Sequence, residues 1–285
     1  MRKVKIMIDS SVDLPKDLIE KHDLEVIPFH ILFGEESFRD GVNITAGEMY
    51  ERVRQTKTLP KTAAVSIDEF KERFDKYVEQ DMDIFLITLS SKISSNYQNA
   101  YLASQDYDEG RVVVCDSLHL SGSIALLVLK AIKFRDQGMS AVKIKEEVEK
   151  LIPKMNTQFV IRTLEYLHKG GRCSTLAKWV GTVLSLKIQI KMKDGKLEAY
   201  KKTPGKMSRA IDVMLDDFFK LEAEGKLDKE FVFVTHTYSH QMKDYILEKL
   251  EESGIEIENL IVSEAGTVIS SHCGEGTIGI LYLEK

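Results

Sequence analysis

Ile84-Phe85-Leu86-Ile87-Thr88-Leu89, followed by Ser90-Ser91-Lys92-Ile93-Ser94-Ser95, is the stretch on which the fold turns. The first half is almost wholly apolar, as expected of a strand covered on both faces in a parallel sheet. The serine-rich loop then leads into helix-length sequence, so the unit reads strand, loop, helix. Upstream, Val4 to Ile8 ends in Asp9-Ser10-Ser11; downstream, Val112 to Cys115 ends in Asp116-Ser117, with Ser121 close behind; Leu24 to Pro28 is a fourth apolar run. Strands alternating with helical segments predict a parallel sheet with crossover helices. Helix starts are marked by two capping boxes, Thr45 with Glu48 and Ser66 with Glu69, in which side chains satisfy amides that the helix leaves unpaired. Asp13 before Pro15 marks another start, and Ser95, with Gln98 three residues later, is expected to cap the next helix.

From about Gln158 the pattern changes. Lys187 to Met192 alternates polar and apolar residues, and Asp194-Gly195 turns the chain toward Lys196 to Lys201, which predicts an antiparallel hairpin. Helical stretches over Ser208 to Glu224 and Ser239 to Glu252 flank a strand at Phe231 to Thr235, and Thr277 to Leu283 is the last strand. The expectation is an α/β chain of two domains with a cleft between them for a ligand. Residues 1–155 carry the parallel sheet and its flanking helices; residues 156–285 carry a mixed or antiparallel sheet with helices, the boundary falling near Pro153 to Thr157.

With 285 residues, 43% of them hydrophobic, the chain can bury a full core. Its 40 basic and 45 acidic residues give a formal charge of -5, no field for gripping a nucleic-acid backbone. No apolar stretch reaches the roughly 18 residues of a membrane span. The start lacks the apolar core of an export signal. Three cysteines, Cys115, Cys173 and Cys273, are spaced too widely for a paired motif. Both features point to a reducing, cytoplasmic setting.

Open α/β sheets bind ligands beyond the carboxyl ends of their strands, where helix N-termini offer free amides. The hydroxyl-rich loops fall at those ends. Ser94 stands one position outside the expected cap and is free to face a ligand, while Thr62 sits before the helix capped by Ser66. Asp9 is expected to brace these loops. Near the end, Gly266-Thr-Val-Ile-Ser-Ser-His272-Cys-Gly274-Glu-Gly276 frames a histidine with glycines, which let backbone approach closely. An imidazole N–H there would suit a carboxylate or phosphate; a structural histidine is the plainer reading. Ser94 with His272 also admits a serine hydrolase or acyl transferase, but the chain has no Gly-x-Ser-x-Gly elbow. Gly205-Lys206 is followed by Met207, so no ATP phosphate loop is present. His236 and His240 lack a third metal ligand in the sequence pattern. Arg172, after a glycine pair, reads equally as an anion or partner contact and as a tie to helix carbonyls. Ile124 to Ile132, Trp179 to Leu186 and Met214 to Phe219 are candidate linings for an apolar ligand tail, and each reads as plain core too.

Four motifs resemble the DegV family of bacterial fatty-acid-binding proteins. They are Asp9 to Leu14, the serine loop Ser90 to Gln98, the Leu164 to Arg172 segment with its Gly170-Gly171-Arg172 ending, and the Gly266 to Gly276 segment. The resemblance runs nearly end to end. It implies a long-chain fatty acid buried between two α/β domains, its carboxylate bound by Thr62, Ser94 and His272; Ser95 and Arg172 are further candidate ligand contacts. It also implies a non-catalytic carrier, without cofactor, that presents its fatty acid to a separate ATP-binding kinase subunit for acyl-phosphate formation. Departures from the family pattern fall at Ala63 and Ala64 after the threonine, at Lys92 and Ser95 in the serine loop, at Glu275 between the last glycines, and in a basic segment reduced to Lys201, Lys202, Lys206 and Arg209.

Overall fold

The computed structural model describes residues 2–173, 175 and 186–285. The four apolar runs of the first half form one parallel sheet. Its strands are β1 (Val4–Asp9), β2 (Glu25–Ile27), β6 (Asp83–Thr88) and β7 (Val112–Asp116), in the order β2-β1-β6-β7. Between β2 and β6 the chain makes a feature with no clear sequence signal, a small antiparallel sheet. In it β3 (His30–Phe33) lies between β4 (Glu36–Arg39) and β5 (Lys61–Ala63). Helices α1 (Lys16–Lys21), α2 (Ala46–Thr56), α3 (Ile67–Val78), α4 (Asn96–Ser104), α5 (Gly122–Asp136) and α6 (Ala141–Leu151) complete this half. Both capping boxes form, at Thr45 with Glu48 and at Ser66 with Glu69. Asp13, by contrast, does not cap α1: its side chain turns inward, and the helix starts after Pro15 without a side-chain cap.

A 3-10 turn at Ile152–Lys154 leads into the second sheet, of six strands. They are β8 (Met155–Ile161), β9 (Leu186–Lys193), β10 (Lys196–Pro204), β11 (Leu227–His236), β12 (Leu260–Glu264) and β13 (Ile278–Glu284), ordered β10-β9-β8-β13-β11-β12. Antiparallel pairs dominate, and only β11 and β12 run parallel, so the sheet is mixed. The hairpin turns at Asp194-Gly195, whose positive φ of 48° and 78° matches its sequence. Helices α7 (Glu165–Gly170), α8 (Met207–Ala223), α9 (His240–Glu252) and α10 (Thr267–Cys273) complete the described chain.

Alternate residues of each strand enter different cores. Ile6, Ile8, Phe85 and Ile87 point to the same central core as Phe159, Phe233 and Leu281 of the other sheet. Met7, Ile84 and Leu86 face α3 and α4, while Val160, Val232 and Ile280 face α8 and α9. The two sheets therefore sandwich one core, with α5 at its middle. Ile124 to Ile132 lies in that core and Met214 to Phe218 in the α8 core, which accounts for their apolar runs.

Candidate functional site

Hydroxyl-rich loops meet at the carboxyl ends of β1 and β6, and the buried Asp9 carboxylate joins the loop after β1 to the loop between β6 and α4. It accepts the Ser11 amide at 3.1 Å, the Leu89 amide at 2.8 Å and the Asn96 side chain at 2.9 Å. Asn96 in turn accepts the Val65 amide at 3.1 Å, so the stretch after β5 is tied to the start of α4. These bonds set Thr62 and Ser94 in place. Ser94, not Ser95, takes the local capping part: its hydroxyl accepts the Asn96 amide at 3.2 Å, and Ser95 makes no side-chain cap.

The His272 helix, α10, is held from the other half of the chain. Its first amides are met by two buried carboxylates: Asp13 accepts Gly266 N–H at 2.7 Å, and Asp40 accepts Thr267 N–H at 2.8 Å. Burial pushes both acids above the usual carboxylate range, Asp13 to about 8. Tyr50 adds a bond from its hydroxyl to Ser270 C=O at 3.3 Å. The last turn of α10 then brings His272 Nε2 to 2.8 Å from Thr62 Oγ1. Desolvation, aided by the charge of Arg172, pulls the imidazole down to about 4, so the ring is neutral at physiological pH.

A cavity of about 280 Å³ opens beside this pair. The hydroxyl, imidazole and guanidinium groups in its described lining belong to Thr62, Ser94, Ser95, His272 and Arg172, the five residues singled out by sequence. The remaining lining is Cys273 and apolar side chains, among them Phe29, Leu89, Leu120, Val268 and Ile269. Ala63 and Ala64, two of the departures from the family pattern, line it as well. Neither Ile124 to Ile132 nor Met214 to Phe219 lines this cavity among the described residues. Residues 179–185 lie outside the described residues. Ser95 and Arg172 are exposed, which puts the mouth on their side. Arg172 makes the tie to a helix carbonyl, its Nη1 donating to Gly170 C=O at 2.6 Å, and lines the mouth. Glu275 pairs with Arg54 at 3.5 Å.

Asn96, Asp13 and Asp40 were not among the sequence candidates. Asn96 lies within the serine-loop motif Ser90 to Gln98 and Asp13 within the motif Asp9 to Leu14, which is the signal each carried; that Asp13 and Asp40 act across the fold is announced by no local pattern. His236 and His240 do find a third group, Glu264, with ligand atoms within 4.8 Å of one another. The Ser239 amide, however, donates to His236 Nδ1 at 3.3 Å. The neutral ring then carries its proton on Nε2, which leaves no free lone pair for an ion.

The arrangement is an apolar chamber with a few neutral donors and one cation at its mouth, suited to a molecule with an acidic head and an apolar body. The comparisons agree. The family model of the DegV proteins, described as uncharacterised, matches residues 3–285. A fatty acid-binding protein of Thermotoga maritima is 33% identical, with 97% of this chain and 96% of that one aligned. The fold superposes on a fatty-acid-binding DegV protein of Thermus thermophilus with a TM-score of 0.91 at 28% identity, covering 100% of both chains. It also superposes on a stearic acid-binding protein of Eubacterium ventriosum with a TM-score of 0.88 at 27% identity, covering 100% of this chain and 99% of that one. With a family model matched over residues 3–285 and a relative 33% identical across 97% of it, the chain belongs to the DegV family.

Proposed function

We propose that this chain binds a long-chain fatty acid between an N-terminal domain of residues 1–155 and a C-terminal domain of residues 156–285. Thr62, Ser94 and His272 hold the carboxylate, with Ser95 and Arg172 at the mouth. The observation that carries the reading is the Thr62–His272 pair, 2.8 Å apart, set with Ser94, Ser95 and Arg172 into a cavity whose remaining lining is Cys273 and apolar side chains. Relatives of the same fold bind fatty acids, stearic acid among them. Burying each methylene gains about 0.8 kcal/mol, so a chain of roughly 16 carbons gains on the order of 10 kcal/mol before ordering costs. The head group then needs only a few well-placed donors.

The carboxylate is presented to a separate ATP-dependent kinase subunit that makes the acyl phosphate. Two features support the division of labour: the sequence has no phosphate loop of its own, and the mouth lies at exposed residues that a partner can reach. A hydrolase using Ser94 and His272 is the weaker reading. His272 Nδ1 is enclosed without a partner among the described residues, so no acid orients the ring as a general base.

The test is native purification, solvent extraction and mass spectrometry of what is released. About one fatty acid per chain is expected. An empty extract, together with no uptake of added palmitate, overturns the reading.

A further inference from the structure

The two glycines at the end of α7 serve different ends. Gly171 adopts φ +68°, left-handed backbone, and a methyl there would meet nothing within 4 Å among the described residues. Gly170 has no positive φ, so its conformation does not call for glycine. Space does. A methyl on Gly170 would stand 2.6 Å from His272 Nδ1 and 3.4 Å from Cε1, which means the bare backbone lies against that edge of the imidazole.

Nδ1 is buried and has no hydrogen-bond partner among the described residues, whereas Nε2 lies 2.8 Å from Thr62 Oγ1. A neutral imidazole carries its proton on one nitrogen or the other. On Nδ1 it would be a buried N–H facing carbon, the orphaned donor that folded proteins avoid. On Nε2 it is donated to Thr62 Oγ1, and the Nδ1 lone pair faces the Gly170 Cα–H, a weak attractive contact. Once Thr62 Oγ1 accepts from the ring, its own hydrogen is free to point into the cavity that Thr62 lines.

We propose that Gly170 is a positioning residue: its bare backbone on the Nδ1 edge holds His272 as the Nε2–H tautomer, and this makes Thr62 the donor that meets an acidic head group. The inference rests on the fatty-acid reading of the site and sharpens it. A carboxylate only accepts hydrogen bonds, so it suits a hydroxyl committed to donating; an alcohol head group, which must also donate, suits it less.

The test reads the tautomer directly, by long-range proton–nitrogen NMR of ligand-free protein labelled in its histidines. The wild type should show His272 with a single Nε2–H. Gly170→Ala should push the ring off the backbone and break its Nε2–H bond to Thr62, so that the single tautomer gives way to a mixture and palmitate binding weakens about tenfold, the effect of one lost hydrogen bond. Thr62→Val should weaken the wild type by a similar factor but add little on the Gly170→Ala background, since both remove the same contact. Gly171→Asn, which tolerates left-handed backbone, should change neither readout. An Nδ1–H in the wild type, or an unaltered tautomer and affinity in Gly170→Ala, overturns the proposal. Should Gly170→Ala not fold, the wild-type spectrum still decides. Because it is recorded without ligand, failure of the wild type to bind palmitate sinks the fatty-acid reading separately.

Discussion

Asp13 sits between the start of α10 and α5, its carboxylate meeting the Gly266 amide at 2.7 Å and the Ser121 hydroxyl. Burial, with a smaller contribution from neighbouring Asp40 and Asp9, pushes it to about 8, against 3.8 in an unfolded chain. Protonated, it donates to Ser121 while its other oxygen still accepts from Gly266, so both contacts survive. A carboxyl whose folded value is raised favours the folded state at low pH. Its contribution is fully present below about 3.8 and is lost as pH rises through about 8. Asn copies the protonated shape. In urea titrations across this window, Asp13→Asn should lack the alkaline-side loss of stability that the wild type shows. If the variant keeps the wild-type slope, or is strongly destabilised at pH 5, the carboxylate is charged in the fold and its ionic form holds α10.

Among the elements, α5 is the one both sheets share, and its approach to the second sheet depends on Gly122. A methyl there would lie 2.6 Å from Thr235 Oγ1 and 3.2 Å from Leu281 and Phe233 side chains, all rigid strand residues. Gly122→Ala should therefore destabilise the protein by about 1–3 kcal/mol through overpacking, despite the better helix propensity of alanine. Urea unfolding checks this, and an unchanged or raised midpoint would show that α5 has room to retreat. Legibility differed between elements for the same kind of reason. The parallel strands and the capped helices α2 and α3 were readable because their signals are local: consecutive apolar residues and a box of four positions. The His272 helix was not, because it has seven residues and its first amides are satisfied by Asp13 and Asp40, more than 200 positions away. The strands β3, β4 and β5, of 4, 4 and 3 residues, are too short to show a period. Ser95 does not cap because its backbone, at φ -80° and ψ 1°, is not the extended conformation of an N-cap, and the Ser94 hydroxyl meets the Asn96 amide instead.

For the whole molecule, the division of the chain near residue 155 does not divide its core. Ile8 and Phe85 of the parallel sheet share one apolar cluster with Phe159, Ile190 and Leu281 of the mixed sheet, and the α5 residues between them are buried. At the edge of that contact Lys130 of α5 reaches Asp228 at 2.7 Å and Glu230 at 2.5 Å on β11. The cavity is built the same way, with Thr62 and Ser94 from the first half and His272 and Leu197 from the second. Two proposed domains with separate cores would unfold in two steps; two with a common core should not. Equilibrium urea unfolding should therefore give coincident single transitions by far-UV and by near-UV circular dichroism, and bound palmitate should raise both midpoints together. Residues 1–155 expressed alone should lack the central core's second wall and give no cooperative transition. A cooperative fold for that fragment, or a biphasic curve for the whole chain, would mean that the shared cluster is only an interface between two finished domains, and the cleft could then open without unfolding anything.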